Sequence, residues 1–176
     1  MVNTSYTFDM HKEHTSPILS NAWLSGFIDA DGSFNINIWS KKADGSGKDR
    51  VEVRMRLEQR QTDPLTGMSY QPVLSAIATA LGVVLGTSVH NHNVQYYIIS
   101  TSSPAKLSVL INYLNKYPLF SGKRMNYNDF KVCHSMMLNK SHLTATGREE
   151  IALLKAGMNS TRTYFNWDHL DLLYNY

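Results

Sequence analysis

The chain has 176 residues, of which 43% are hydrophobic and 18% charged, and its formal net charge is +3. A chain of this length and composition buries a core without disulfides or a structural metal, so wholesale disorder is excluded. Its single cysteine, Cys133, excludes an internal disulfide framework and fits a reducing compartment. We expect a loose arm over residues 1–18 and one domain over residues 19–176.

Membrane spans and targeting segments are not evident in the sequence. The longest apolar stretch, residues 76–85, is interrupted by Thr79 and Gly82 and is far shorter than the ~20 residues of a membrane span. We therefore expect no membrane partner. The opening MVNTSYTFDMHKEHTS has neither the apolar centre of a secretory signal nor the arginine richness of a mitochondrial transit peptide. If the protein works in an organelle, we expect it to be made there.

A helix followed by two strands is the first predicted unit. Ser20 or Asn21 caps the helix, and Gly32 is a suitable residue past its end. The next strand ends near Lys42, where the soft loop KKADGSGKD begins. A second strand over residues 51–61, VEVRMRLEQRQ, alternates apolar and charged side chains with a period of two, which indicates one core face and one polar face.

The same order of elements then repeats. A helix over residues 72–81 precedes a hairpin with strands over residues 86–91 and 95–101. This repetition predicts an α+β fold in which a four-stranded antiparallel sheet has helices on one face. The later predicted helices cover residues 105–115, residues 127–138 and a segment opened by the capping box of Thr146 and Glu149.

The polar face of the sheet is unusual in its composition. For one hairpin alone, a solvated surface is the simpler interpretation. Two hairpins that carry amides, arginines, imidazoles and an exposed tryptophan favour a ligand face, because such groups read base edges in a major groove. An H-x-H pair without further ligands is a weak metal signal, so we interpret its histidines as base or phosphate contacts. The candidate nucleic-acid-binding residues are Asn35, Asn37, Trp39, Lys41, Arg54, Arg56, Glu58, Ser88, His90 and His92.

Two acids stand where the first helix ends. Asp29 and Asp31 are two residues apart, which is about 200° around a helix, so they cannot share a face and must have different roles. Asp31 falls at the negative end of the helix dipole beside free carbonyls, a suitable place for a hard divalent cation such as Mg²⁺. For the letters DADG alone, an ordinary turn is the competing interpretation.

The stretch LSGFIDADG, residues 24–32, resembles the signature of the LAGLIDADG homing endonucleases at seven of nine letters, with Ser25 and Phe27 as the departures. The likeness extends beyond the first ~18 residues, through EQRQ, YPLFSGKRMNYNDF and HLTATGREEIALLKAGMNSTR to FNWDHL, and is strongest with organellar members. It implies the αββαββα fold of that family, with the sheet as a DNA-binding saddle.

The resemblance also implies roles for single residues. Asp31 matches the acid that holds the metal, and Ala30 matches the position whose carbonyl completes its coordination. Gln59 and Lys123 match polar pocket residues that order solvent around the nucleophile and neutralise the phosphate. For these two residues the alternatives are a strand cap and a plain surface lysine. Cys133 and the histidines need no catalytic role.

The implied activity is site-specific cleavage of double-stranded DNA by metal-assisted hydrolysis. Strands of roughly 10 residues extend about 33 Å, or about 10 base pairs, so two sheets cover a target of about 20 base pairs. We expect Arg162, with Lys42 and Lys48, to contact backbone phosphates without reading sequence.

Only one signature occurs in the chain, and single-signature members of the family work as homodimers. The stripe of small residues at four-residue spacing suits close helix approach, so a two-fold dimer is the economical prediction. Half of a split enzyme with a separately encoded partner is the alternative. The predicted interface residues are Ala22, Trp23, Gly26, Phe27 and Ala30.

A rival function is RNA binding without cleavage, as a maturase or as a component of a ribonucleoprotein such as an organellar ribosome. Trp39, Tyr96 and Tyr97 would then stack on unpaired bases. Retention of Asp31, Gln59 and Lys123 argues against this reuse. In either case the resemblance implies an organelle-encoded, intron-encoded product in the mitochondrion or chloroplast.

Overall fold

The computed structural model describes residues 16–41, 43–44, 46–90 and 93–173. Most of the predicted arm, and the predicted DNA contacts Lys42 and His92, lie outside the described residues. The helices are α1 (Trp23–Asp31), α2 (Gln71–Ala80), α3 (Pro104–Lys116), α4 (Lys123–Leu138) and α5 (Ala145–Ala156), and the strands are β1 (Gly32–Trp39), β2 (Arg50–Arg60), β3 (Leu85–Val89) and β4 (Gln95–Thr101).

The four strands form one antiparallel sheet in the order β1-β2-β4-β3. Each predicted hairpin is present, and the two hairpins meet through β2 and β4 at the centre of the sheet. Leu57 of β2 pairs with Gly32 of β1 and with Ile99 of β4, which fixes the register across the middle. The predicted α+β fold and its repeated helix-hairpin unit are confirmed.

The core fills the space between one face of the sheet and the helices. Alternate β-strand residues such as Phe34, Met55 and Ile99 are completely buried, as the period-two pattern predicts. From the helix layer, Phe130 of α4 packs on Phe34 with ring centroids 5.1 Å apart. Each such side chain contributes roughly 1.5–3 kcal/mol by leaving water, so this layer holds the sheet and α1 in fixed positions.

Two predicted helix starts are wrong, and local hydrogen bonds explain both. Helix α5 begins at Ala145 because the Thr144 hydroxyl accepts the Gly147 N–H at 3.0 Å, which makes Thr144 the N-cap in place of Thr146. Helix α4 begins at Lys123, four residues before the predicted start. The Ser121 hydroxyl accepts the Lys123 N–H at 3.1 Å, which satisfies an amide at the start of this helix.

Gly32 is required for close packing and not for an unusual backbone angle. Its φ of −73° is open to any residue. A Cβ at this position would lie 2.7 Å from the carbonyl oxygen of Ile28, closer than real contacts allow. The helix therefore passes directly into β1 at a residue without a side chain.

The start of the described chain is anchored to the core. Ile18 and Leu19, at the predicted boundary between arm and domain, pack against the core as part of a 3₁₀ turn. The N-cap of α1 is Ala22 and not the predicted Ser20 or Asn21, and the Asn21 side-chain oxygen accepts the Trp23 N–H at 2.9 Å from one residue earlier. Among the described residues, no helix combines the length and the apolar character that crossing a membrane requires.

Candidate active site and DNA interface

Helix α1 has one buried face and one open face. Leu24, Ser25 and Ile28 are buried. The Ser25 N–H donates to the Tyr113 hydroxyl at 2.8 Å, and this hydroxyl donates to the Asn21 carbonyl at 2.8 Å. These bonds fix the rotation of α1 about its own axis and so decide which residues it presents to solvent.

The open face carries the predicted stripe of small residues. Ala22, Gly26 and Ala30 are exposed, and no atom lies within 4 Å of the position that a Gly26 Cβ would take. Trp23, which is 48% exposed, stacks on Phe27 with ring centroids 5.4 Å apart. A smooth strip flanked by aromatic rings has the shape that a second helix backbone needs for close approach.

Asp31 and Gln59 lie next to each other at the end of this helix. Asp31 is exposed, and its Oδ2 is 3.4 Å from the Gln59 Nε2. The pairing of Gly32 with Leu57 brings the end of β2 beside the end of α1. The Gln59 Oε1 accepts the Arg60 N–H at 2.9 Å, which turns the amide nitrogen toward Asp31.

Lys123 reaches the same point from the first turn of α4. Its ammonium donates to the Ile28 carbonyl at 3.1 Å and to the Ala30 carbonyl at 2.9 Å. Partial burial lowers the pKa of Lys123, while the negative charges of Asp29 and Asp31 oppose this shift. The lysine therefore belongs to the end of α1, which disagrees with the alternative of a plain surface lysine.

Asp29 has a different role from Asp31, as the helix geometry requires. Its carboxylate accepts the N–H groups of Phe120 and Ser121, each at 2.8 Å, and the Ser121 hydroxyl. It thus holds the loop that delivers Lys123. Sequence reasoning separated the two acids but assigned Asp29 no partner, because the partner loop is about 90 residues away in the chain.

The donor atoms beside Asp31 suit half of a metal site. No group of three or more His, Cys, Asp or Glu side chains positioned to hold a metal occurs within the described ranges. One chain offers the Asp31 carboxylate and the Ala30 carbonyl, both hard oxygen ligands of the kind that Mg²⁺ and Ca²⁺ prefer. The carbonyl keeps a second lone pair beside its hydrogen bond to Lys123. A cation held by these two atoms would need further ligands.

The predicted polar face lies opposite the helices. Asn35 pairs with Arg54 and Asn37 with Glu52, so amides and charges stand side by side across β1 and β2. Trp39 lies beneath the Arg50 guanidinium, 5.2 Å from it. The predicted residues that the described strands bring to this face are Asn35, Asn37, Trp39, Arg54, Arg56, Glu58 and Ser88; Lys41 and His90 are exposed just past the strand ends.

Two carboxylates organise the arginines of this face. Glu52, which is buried, lies 2.6 Å from both Arg50 and Arg54. Neither Arg50 nor Glu52 was among the predicted binding residues, although the period-two pattern of β2 places both on the polar face. Arg60 and Tyr96 lie on the same face by the same alternation; Arg60 was not predicted, and Tyr96 was named only as a base-stacking residue of the rival function.

Glu58 is the second organising carboxylate. It accepts a hydrogen bond from the Ser88 hydroxyl at 2.6 Å and lies 2.7 Å from His90 Nε2 and 2.9 Å from Arg56. Partial burial raises the pKa of Glu58, but the bonds from Ser88 and His90 and the charge of Arg56 outweigh it and lower the pKa below its usual value. Glu58 therefore stays ionised and holds the two hairpins together.

Two other residues considered in the sequence lie apart from this face. Arg162 is only 10% exposed and is paired with Asp129 and with Asn126, so the expected phosphate contact does not fit its position. It fastens the chain after α5 to α4. Burial raises the pKa of the Cys133 thiol to about 12, so this residue is unsuited to act as a nucleophile.

Comparison with known proteins agrees with this geometry. The model of the LAGLIDADG endonuclease family matches residues 24–134, which include Asp31, Gln59 and Lys123. The chain belongs to the LAGLIDADG endonuclease family. A probable intron-encoded DNA endonuclease, aI1, of Mycosarcoma maydis is 50% identical over 117 residues, covering 66% of this chain and 96% of that protein.

Other family members are longer than this chain. Intron-encoded DNA endonuclease aI3 of Saccharomyces cerevisiae is 31% identical over 176 residues, covering 91% of this chain and 42% of its own length. The LAGLIDADG meganuclease I-CpaMI, solved bound to uncleaved DNA, has a TM-score of 0.60 and 29% identity over 88% of this chain and 48% of its own. This LAGLIDADG chain thus spans less than half of these two relatives.

Proposed function

We propose that this LAGLIDADG chain is one half of a homing endonuclease that cuts both strands of a specific DNA site. One observation carries the proposal: α1, β2 and α4 bring Asp31, Gln59 and Lys123 together at the end of a helix whose adjoining face is open. Residues from three separate elements meet there, and each matches a position of the family signature or pocket. The intron-encoded DNA endonucleases among its relatives support the same activity.

The Asp31 carboxylate and the Ala30 carbonyl are the groups that would hold a hard divalent cation such as Mg²⁺. Such a cation, when bound, supplies Lewis-acid activation of water and of the scissile phosphate. Gln59, hydrogen-bonded to Asp31, fixes the orientation of that carboxylate and of solvent beside it. Lys123 supplies a positive charge to stabilise the negative charge that develops on the phosphate. No nucleophilic side chain is required.

The second half of the enzyme would pack on the open face of α1. Close contact along Ala22, Gly26 and Ala30 would bring a second acid next to Asp31 and provide the missing ligands. A second copy of the chain is the economical partner, and the aromatic pair Trp23 and Phe27 would border a two-fold contact. The alternative remains a separately encoded complementary half, and the greater length of aI3 and I-CpaMI suits either arrangement.

Double-stranded DNA is the proposed substrate of the polar sheet face. The arginines of β2 have the donors that read guanine, and the amides of β1 have those that read adenine. β2 has 11 residues, and two sheets of this length give a contact of about 20 base pairs. The meganuclease I-CpaMI, whose fold this chain shares, was solved bound to DNA.

RNA binding without cleavage is not favoured by the comparisons, which name DNA endonucleases. The proposed stacking surface is also incomplete, since Tyr97 packs against the core while Tyr96 contacts His90 on the other face. We further propose that the protein is intron-encoded in a mitochondrion or chloroplast. The intron-encoded fungal relatives support this origin.

Cleavage of the intron-lacking host gene tests the proposed function. The purified chain is incubated with a fragment that joins the two exons flanking its intron, with Mg²⁺ or with a chelator. We expect one discrete double-strand break that requires the cation and is absent from the intron-containing fragment. Failure to cut, together with tight binding to the intron RNA, would support the rival function.

A further inference from the structure

The loop that delivers Lys123 is held from two sides. Residues 118–122 lie between α3 and α4, and α1 holds their inner side through the Asp29 bonds and through the Ser25 hydroxyl, which donates to the Pro118 carbonyl at 3.0 Å. Lys123 is the first residue of α4 after this loop. Its ammonium reaches the Ala30 carbonyl only when the loop lies against α1.

The outer side of the same loop is covered by residues 165–169, which we call the strap. His169 Nε2 donates to the Phe120 carbonyl at 2.8 Å. The Phe165 ring lies 3.0 Å from where a Gly122 Cβ would be, and the Trp167 ring lies 3.7 Å from it. The strap therefore packs directly on the residue that precedes Lys123.

The rings at alternate positions of the strap, Phe165, Trp167 and His169, stack on one another beside the loop. Phe165 and Trp167 have centroids 6.2 Å apart, and Trp167 and His169 have centroids 6.0 Å apart. The N–H of Asn166 contacts the Met125 sulfur at 3.2 Å, which fixes the strap to the first turn of α4. The stack is thus anchored on both the loop and the helix.

The peptide units on either side of Phe120 connect the two supports. The Phe120 N–H donates to Asp29, and the Phe120 carbonyl accepts from His169. The loop is bound to α1 on one side and to the strap on the other. Loss of either support lets the loop move relative to α1, and a displacement of 1 Å at a catalytic group costs up to about 100-fold in rate.

Building on the proposed function, we infer that the strap positions Lys123 for catalysis, with His169 and Trp167 as positioning residues that contact neither DNA nor the reacting atoms. They act through the loop and not through Asp31 or Gln59. Glycine at position 122 suits this packing, because a Cβ there would contact the Phe165 ring more tightly than an ordinary van der Waals contact.

Hydrogen exchange tests the strap independently of cleavage. In His169→Ala and Trp167→Ala we expect the Phe120 and Ser121 amides to exchange about 10-fold faster, while the sheet amide of Ile99 keeps its protection. Tyr164→Ala is the matched control. Tyr164 is an aromatic residue just before the strap, and its side chain is 69% exposed. Unchanged exchange at Phe120, or equal loss at Ile99, would overturn the inference.

Single-turnover cleavage supplies the second readout. Both strap variants should cut about 10-fold more slowly while their Kd for target DNA stays within about two-fold of wild type. His169→Gln, whose amide can still donate to the Phe120 carbonyl, should restore much of the rate. An unchanged rate, or a rate loss matched by weaker DNA binding, would overturn the positioning role. If the wild-type chain does not cut, the proposed function fails and the exchange result alone decides the strap.

Discussion

Asp29 and Asp31 show how two identical side chains at one helix end take on unlike tasks. Rotation of about 200° about the helix axis separates them. Asp29 faces the loop before α4 and accepts three hydrogen bonds, whereas Asp31 faces solvent with Gln59 as its neighbour. Position on the helix therefore decides that one acid is structural and that the other is available for a ligand.

Asp29→Ala tests the structural acid. Hydrogen bonds to a charged acceptor contribute about 1.5–3 kcal/mol each, but Asp29 is only half-buried, so we expect a total loss of about 2–3 kcal/mol in the free energy of unfolding. Urea unfolding measures it. Asp44→Ala is the matched control, since the Asp44 carboxylate accepts from Ser46 within its own surface loop and contacts no distant element in the described part of the chain. Equal stability of the two variants would contradict the role of Asp29.

Asp63, in the turn that follows β2, predicts an effect of pH on stability. The Thr66 N–H, the Tyr70 hydroxyl and the Leu65 N–H bond its carboxylate and lower its pKa to about 2. Because the folded value lies below the unfolded value of about 3.9, its contribution is complete above pH ~5 and is lost as the pH falls through about 2.

Asp63→Asn should therefore flatten the fall in Tm between pH 5 and pH 2, as thermal unfolding across that range would show. Glu150→Gln, at an exposed position on α5, provides the control and should leave the shape of the curve unchanged. A wild-type curve and an Asp63→Asn curve of identical shape would count against this assignment.

At the scale of elements, side chains added at Gly26, in α1, and at Gly32, just after α1, should have opposite effects on stability. A Cβ on Gly26 meets nothing within 4 Å, whereas a Cβ on Gly32 meets the Ile28 carbonyl oxygen at 2.7 Å. Gly26→Leu should keep or slightly raise the Tm, because glycine costs a helix interior about 1 kcal/mol, and should prevent pairing. Gly32→Ala should lower stability by about 1–3 kcal/mol.

Sedimentation velocity and thermal unfolding together distinguish these effects. A Gly26→Leu chain that is folded and still pairs like wild type would refute the interface on α1. A wild-type chain that sediments as a monomer even with target DNA would indicate a separately encoded partner. Intact stability of Gly32→Ala would show that the helix end can relax around a side chain.

The predictability of the elements follows from the range of the interactions that form them. Period-two alternation along β2 is a local pattern, so its faces could be read from residues 51–58 alone. The start of α4 at Lys123 could not, because Asp29 and the strap hold the preceding loop from distant parts of the chain. The position of Arg162 was missed for the same reason, since Asp129 lies 33 residues away.

At the scale of the whole molecule, the sheet face combines arginines with two internal carboxylates. Arg54 and Arg56, which the composition of this face assigns to DNA, can each be removed without leaving its carboxylate unpaired. Glu52 keeps Arg50 when Arg54 is lost, and Glu58 keeps His90 when Arg56 is lost. The face is thus suited to test DNA binding separately from stability.

Arg54→Ala and Arg56→Ala should each weaken specific DNA binding by about 1–3 kcal/mol for a lost base contact. Fluorescence anisotropy at fixed salt, with target and scrambled duplexes, measures the change. Lys155→Ala, on α5 in the helix layer, is the control and should leave the Kd unchanged. A loss of this size with structured RNA and none with duplex DNA would favour the rival function.

The catalytic assignment rests on the family resemblance for the roles and on the fold for their convergence. Spacing alone predicts no contact between residues 31, 59 and 123, and only the register of β1 with β2 and the start of α4 join them.

Asp31→Asn is the most direct test of the catalytic assignment, since it keeps the size of the side chain and its bond to Gln59 but removes the charge. The rate of target DNA cleavage in Mg²⁺ and the Kd for the same DNA are measured for this variant and for wild type. For Asp31→Asn we expect no detectable cutting and an unchanged Kd. Cutting at the wild-type rate would contradict the catalytic role of the Asp31 carboxylate.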